Sequence, residues 1–181
     1  MLQDVMFAGF GGQGIMLIGQ MIAYAGMAEG RQVSWLPSYG PEMRGGTAYC
    51  TVVVSDKPIG SPVTGNPGVC VVMNRPSLEK FGPRVRPGGI LIVNSSLIDI
   101  TAGREDIDEL RVPCNELAME LGSGKAANMV VLGALVGRTD VVKLESVDAL
   151  IEKQFAAKAK FIPLNKQALR AGYERGRQGK S

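Results

Sequence analysis

The chain has 181 residues, 45% apolar and 20% charged, which suits one domain whose core needs neither disulfides nor a structural metal. It contains no histidine, so imidazole serves nowhere as base, nucleophile or metal ligand, and the Ser-His and Cys-His hydrolases are excluded. A formal charge of +3 is too small to imply nucleic-acid or membrane-surface binding by the molecule as a whole, although residues 152–181 concentrate eight basic side chains against two acidic ones.

Asp4 to Ala8 is a short apolar run that ends in a glycine cluster and gives way to a longer apolar stretch, Ile15 to Ala28. That is the pattern of strand, loop and helix. Gln32 to Leu36 is too short and too rich in strand formers for another helix, so the chain opens as a βαβ unit. Pro37 to Gly46 holds two prolines and three glycines without apolar periodicity and reads as a loop of a length that often carries function. Further strands are expected over Thr47 to Ser55, Gly68 to Met73, Ile90 to Val93 and Leu110 to Pro113. A short helix is expected over Pro76 to Phe81, with proline in the first turn, where its missing donor costs little. Longer ones follow over Glu116 to Leu121, Ala127 to Arg138, Val147 to Ala159 and Lys166 to Gln178, the last capped by Asn165. Strands alternating with helices predict an α/β fold in which residues 1–181 form one domain, a mostly parallel sheet with helices on both faces.

Met1 to Asp4 lack the basic-then-apolar pattern of a secretory signal, and Gly14 to Gly30, interrupted by Gln20 and Glu29, falls short of a membrane span. Cys50, Cys70 and Cys114 include no Cys-x-x-Cys pair to seat zinc or an iron–sulfur cluster. They read as reduced, buried small hydrophobes in a cytoplasmic protein.

Gly9-Phe10-Gly11-Gly12-Gln13-Gly14 sits between the first strand and the first helix, where a phosphate-binding turn belongs. Glycines let an anion approach the backbone amides, and the helix start adds free N–H groups and a favourable dipole; the alternative is that they only permit a tight turn and close helix–sheet packing. A nicotinamide dinucleotide site also needs an acid at the end of the second strand, but that strand ends Ser34-Trp35-Leu36-Pro37. Arg31 precedes the strand and reads as a solvated surface charge. In the following loop Glu42, Arg44, Gly45 and Gly46 combine opposite charges with two permissive residues, so either Arg44 clamps a phosphate or carboxylate while Glu42 orients it, or the two form an ion pair within the loop.

Gly-Phe-Gly-Gly-Gln-Gly (9–14), followed by Ser-Tyr-Gly-Pro-Glu-Met-Arg-Gly-Gly-Thr-Ala (38–48), resembles the gamma subunit of 2-oxoacid:ferredoxin oxidoreductases. The likeness continues through Met73 to Leu78, Gly88 to Asn94 and Ala127-Asn128-Met129, and thins after about Lys158. It implies a Rossmann-like module without catalytic residues or metal ligands of its own. Such complexes decarboxylate a 2-oxoacid on thiamine diphosphate, pass electrons through iron–sulfur clusters to ferredoxin and release an acyl-coenzyme A. Alpha and beta chains hold the thiamine, and the clusters lie in beta or in a ferredoxin-like delta chain. By that resemblance Gly9, Gly11, Gly12, Gln13 and Gly14 form a backbone cradle, with Glu42, Arg44, Gly45 and Gly46 as a second wall facing coenzyme A or a neighbouring subunit. Ser38-Tyr39-Gly40-Pro41 leans toward enzymes of 2-oxoglutarate or branched-chain 2-oxoacids. An indolepyruvate oxidoreductase beta subunit and a free-standing NAD(P)-binding oxidoreductase remain alternatives.

Met16, Met21 and Met27 are expected in the core, and Trp35 and Tyr39 are expected to pack beside the loop. Asn94-Ser95-Ser96 either faces the same crevice or makes a simple turn. The basic C-terminal stretch, with Lys158, Lys160, Lys166, Arg170, Arg175 and Arg177, reads as a solvated helix face, with an acidic partner subunit as the second reading. An isolated copy is expected to self-associate, as a homodimer, through apolar surface meant for partner chains.

Overall fold

Along the first strand, β1 (Leu2–Phe10), successive side chains enter different cores: Val5 and Phe7 lie in one apolar cluster, Met6 and Ala8 in another. A strand buried on both faces produces this division, because its side chains alternate. The computed structural model describes residues 1–38 and 47–180. After β1 come α1 (Ile15–Ala28), β2 (Gln32–Ser38), β3 (Thr47–Ser55), β4 (Val69–Val72), α2 (Arg75–Phe81), β5 (Ile90–Asn94) and β6 (Asp108–Val112). Then follow α3 (Cys114–Glu120), α4 (Ala127–Thr139), α5 (Leu144–Gln154) and α6 (Ile162–Arg177).

Among the described residues the sheet runs β2-β3-β1-β4-β5-β6. Pairs β1–β4, β4–β5 and β5–β6 are parallel, whereas β3 is antiparallel to both β1 and β2. The expected opening βαβ unit is therefore split, with β3 inserted between its two strands. Helices cover the two faces unequally. α1 and α3 to α6 pack with Val5, Phe7, Cys50, Val52, Val71 and Ile92, while α2 and the segment around Ile98 cover Met6, Ala8, Cys70, Val72, Leu91 and Val93. All three thiols are buried, and the loss of hydration pushes those of Cys50 and Cys70 up to about 12. No described helix is long and apolar enough to cross a membrane.

Several expectations need correction. The helix expected over Val147 to Ala159 ends at Gln154 and yields to a 3-10 segment, Ala156–Phe161, in which Lys158 leaves helical geometry. α6 starts a turn earlier than expected, with Pro163 near its start, so Asn165 lies inside it and donates to Phe161 O at 2.8 Å rather than capping it. Met21 is buried, but Met27 is exposed. Trp35 does pack on α1: a Cβ added to Gly19 would lie 3.3 Å from its Nε1. Arg31 is a structural tie rather than a solvated charge, donating to Val141 O at 2.7 Å beside Glu29 and Asp56.

Four of the eight basic side chains in the C-terminal stretch are paired within the chain, among the described residues. Lys166 Nζ lies 2.8 Å from Asp148 and 2.5 Å from Glu152, Arg170 reaches Asp148, and Arg177 and Lys180 reach Asp140. Asp148 first, then Glu152, hold the Lys166 ammonium above its usual range.

α4 and α6 cross at backbone contact. A Cβ at Gly133 would lie 1.9 Å from Leu169 O, and one at Gly172 would lie 1.8 Å from Val130 O. Gly137 and Gly176, one turn further along each helix, meet the opposite backbone in the same way. The spacing Gly-x-x-x-Gly on both helices thus removes side chains from the crossing. Gly172→Ala should lower stability by about 3 kcal/mol in urea denaturation, since carbonyl and methyl cannot share that space. Gly60→Ala, at a site facing open space, should stay near wild type. Equal stability of the two variants would refute the close crossing.

Candidate functional site

The chain leaves β1 toward β2 and β3 on one side and returns to β4 on the other, so the carboxyl ends of β1 and β4 bracket the point where an open α/β sheet parts into a crevice. A hollow of about 250 Å³ opens there, lined by the glycine loop after β1, Met73 after β4, Asn115 at the start of α3, Lys125 in the 3-10 turn before α4 and Asn128 in the first turn of α4. Another hollow, of about 300 Å³, lies at the amino ends of the strands. There Asp4 pairs with Arg86 at 2.7 Å and accepts from Gly68 N, so these charges already answer one another.

The loop is built from within. Gly9 is part of β1, and a Cβ there would strike Ile15 Cδ1 at 2.2 Å and Gln13 Oε1 at 2.6 Å, so its role is close packing. Gln13 is the internal brace. Its backbone N–H donates to Phe10 O at 3.2 Å, its Oε1 accepts from Phe10 N at 2.7 Å and Asn74 Nδ2 at 3.2 Å, and its Nε2 donates to Met73 O at 3.2 Å. Asn74 completes the tie by capping α2 through Ser77 N at 2.9 Å. Gly14 takes φ +75°, and a Cβ on it would lie 2.3 Å from Asn128 Nδ2, so both backbone and space demand glycine.

α1 begins directly from Gly14, with no side-chain cap and no acid in its first turn. Its first intrahelical bond is Ile18 N to Gly14 O at 3.1 Å, which leaves the earlier amides of the turn without an acceptor among the described residues. Gly11 and Gly12 amides likewise find no acceptor among the described residues. Around them stand Lys125 and the amide side chain of Asn128, and among the described residues no carboxylate lines the crevice. Donors, a cation and a helix dipole of one sign make an anion receiver. Lys125 and Asn128 also border an adjoining groove of about 310 Å³, floored by Leu17, Phe155 and Leu164 and edged by Lys158 and Phe161. The crevice and groove together offer an elongated surface, polar at one end and apolar at the other.

Of the residues expected from sequence, Gly12, Gln13 and Gly14 line the crevice, while Gly9 and Gln13 build it. Glu42, Arg44, Gly45 and Gly46, with Tyr39, lie outside the described residues. Asn94 does serve this end of the sheet, although from beneath: it is buried and holds Asn115. Asn115 and Lys125 carry no sequence signal, because only the fold brings residues a hundred positions apart to one rim. Asn128 belongs to the Ala127-Asn128-Met129 motif, and the fold turns it to the same rim.

A family model described as pyruvate ferredoxin/flavodoxin oxidoreductase matches residues 4–175. The chain is 42% identical over 176 residues to ketoisovalerate oxidoreductase subunit VorA of Methanothermobacter marburgensis. That match covers 96% of this chain and 36% of the relative, so the chain spans about a third of that protein's length. It is 32% identical over 154 residues to 2-oxoglutarate synthase subunit KorC of Methanocaldococcus jannaschii, covering 83% of this chain and 82% of the relative. Its fold matches the gamma subunit of a keto/oxoacid ferredoxin oxidoreductase from Geobacter sulfurreducens with a TM-score of 0.84 and 28% identity, over 96% of this chain and 98% of that one. It also matches the 2-oxoglutarate:ferredoxin oxidoreductase from Magnetococcus marinus with 2-oxoglutarate, coenzyme A and succinyl-CoA bound. There the TM-score is 0.91 over 99% of this chain and 32% of that chain, and at 23% identity the likeness is one of fold.

The brace makes a local prediction. Gln13→Ala removes the acceptor of Phe10 N and the donor to Met73 O, so the Phe10 amide should exchange with solvent at least tenfold faster and stability should fall by about 2 kcal/mol. Unchanged exchange at Phe10 would show that the loop stands without the brace.

Proposed function

The chain belongs to the pyruvate ferredoxin/flavodoxin oxidoreductase family, and from that premise we propose that it is the gamma module of a thiamine-diphosphate-dependent 2-oxoacid:ferredoxin oxidoreductase, presenting its glycine-loop crevice to coenzyme A. In the overall reaction a 2-oxoacid and coenzyme A give acyl-coenzyme A and carbon dioxide, while two electrons pass to ferredoxin. Coenzyme A supplies the thiol that takes the acyl group, and its phosphates are the anions the crevice is suited to hold. Gly12, Gly14, Lys125 and Asn128 are the residues of this chain that would meet them, with Glu42, Arg44, Gly45 and Gly46 as the second wall. The adjoining apolar groove suits a less polar part of the same elongated molecule.

The observation that carries this reading is the set of amides without an acceptor among the described residues, beside Lys125, at the uncapped start of α1. Thiamine diphosphate and iron–sulfur clusters belong, on this reading, to alpha, beta and delta partners. Among the described residues no group of Cys, Asp or Glu is placed to hold a metal ion. The 2-oxoacid is proposed to be 2-oxoglutarate or a branched-chain acid, in line with the KorC and VorA relatives. A free-standing NAD(P) enzyme fits less well. β3 separates β2 from β1, so β2 lies roughly 10 Å from β1, two strand spacings away, and it ends Trp35-Leu36-Pro37-Ser38 without the acid that a ribose at the loop requires.

In the assembled complex, Lys125→Ala and Arg44→Ala should each raise KM for coenzyme A on the order of tenfold, the loss of one charge-assisted contact, while KM for the 2-oxoacid holds. A KM for coenzyme A that stays at the wild-type value in both variants would remove this chain from the coenzyme A site.

A further inference from the structure

Asn94, the last residue of β5, is fully buried, yet it governs a side chain at the crevice. Its Oδ1 accepts from two backbone amides, Cys114 N at 3.2 Å and Ser96 N at 3.3 Å. Backbone N–H groups only donate, so this end of the Asn94 amide must be the oxygen and the other end must be the NH2. That NH2 donates to Asn115 Oδ1 at 2.9 Å. Asn115 is held from a second side as well, its backbone N–H donating to Ser96 Oγ at 2.9 Å. With its oxygen turned to Asn94, Asn115 has its own NH2 left over. That group has no partner among the described residues, and Asn115 lines the crevice with Gly12, Gly14, Lys125 and Asn128.

We propose that Asn115 is a ligand-contacting donor of the crevice, and that Asn94 is a positioning residue that fixes the polarity of the Asn115 amide, so that a phosphate oxygen meets N–H rather than C=O. The proposal rests on the reading of the crevice as the coenzyme A-facing site and adds to it a residue that touches the phosphate and one that acts only through it. The choice of amide over carboxylate at position 94 follows. An aspartate there would satisfy Cys114 N and Ser96 N equally well, but it has no proton to give Asn115. The Asn115 amide would then turn over and aim its carbonyl at the anion, losing a donor and gaining a repulsion.

The test uses the assembled complex with coenzyme A as the probe. Asn94→Asp and Asn115→Asp are each expected to raise KM for coenzyme A about ten- to a hundredfold, with kcat at saturating coenzyme A and KM for the 2-oxoacid held. Because Asn94 acts through Asn115, adding Asn94→Asp to Asn115→Ala should have no further effect on that KM. Should the buried aspartate of Asn94→Asp prevent folding, Asn115→Asp decides alone, since its carboxylate still accepts from Asn94 and the change sits at a half-exposed position. It carries a pH signature: its KM for coenzyme A should recover as pH falls through the new carboxyl group's titration, where the side chain regains a proton to donate, and the wild type should show no such recovery. If Lys125→Ala weakens coenzyme A binding while Asn115→Asp stays within twofold of wild type, the crevice reading stands and the Asn94–Asn115 assignment is overturned. If Asn94→Asp costs as much in the Asn115→Ala background as in the wild type, Asn94 is merely structural. If neither Lys125→Ala nor Asn115→Asp moves that KM, the crevice reading falls and takes the assignment with it.

Discussion

A helix that starts without a cap must have its first amides answered by something, and α1 starts from Gly14 with neither a capping side chain nor an acid in its first turn. Everything around that start preserves its openness. Gln13, the one long polar side chain of the loop, is fully engaged with Phe10, Met73 and Asn74 and cannot fold over to cap the helix. Gly14 presses so closely on Asn128 that no side chain can intervene. The fold thus keeps a set of donors without partners among the described residues, at the position where the sheet topology already makes a hollow.

The topology explains why distant residues meet there. Four parallel strands, β1, β4, β5 and β6, end at one edge of the sheet, and each hands on a residue that acts at the crevice or supports it: the glycine loop, Met73, Asn94 and Asn115. The crossing of α4 with α6, closed to backbone contact by paired glycines, anchors the helix whose first turn brings Asn128 to the same rim. Stability and site are coupled through that helix.

The sequence makes much of this legible and hides the rest for identifiable reasons. β1, the glycine loop and α1 are plain because an alternating run, a glycine cluster and a long apolar stretch each have one structural meaning. The direction of β3 is not, since a strand's alternation reads the same both ways and eight intervening residues permit antiparallel return. The break after Gln154 has no proline or glycine to mark it, and the start of α6 at Ile162 is concealed by an asparagine that bonds backward inside the helix rather than capping it. The C-terminal positive charge is conspicuous in a count along the chain, but Asp140, Asp148 and Glu152 neutralise much of it across helices. The glycine motif marks the right place, although hydrogen-bond accounting divides its members between those that face outward and those, Gly9 and Gln13, that hold the loop in shape. Asn115 carries no local signal at all, because its meaning depends on Asn94, twenty-one residues earlier, and on a loop a hundred residues earlier.

The central claim is that the backbone amides at the start of α1 receive the phosphates of coenzyme A. Titrating coenzyme A into the nitrogen-15-labelled chain within its complex, and following the amide resonances of Gly12, Gly14 and Ile15, tests it most directly. Saturable shifts at these three amides are expected at the concentrations that saturate the enzyme; bound coenzyme A that leaves all three resonances unmoved would contradict the phosphate role.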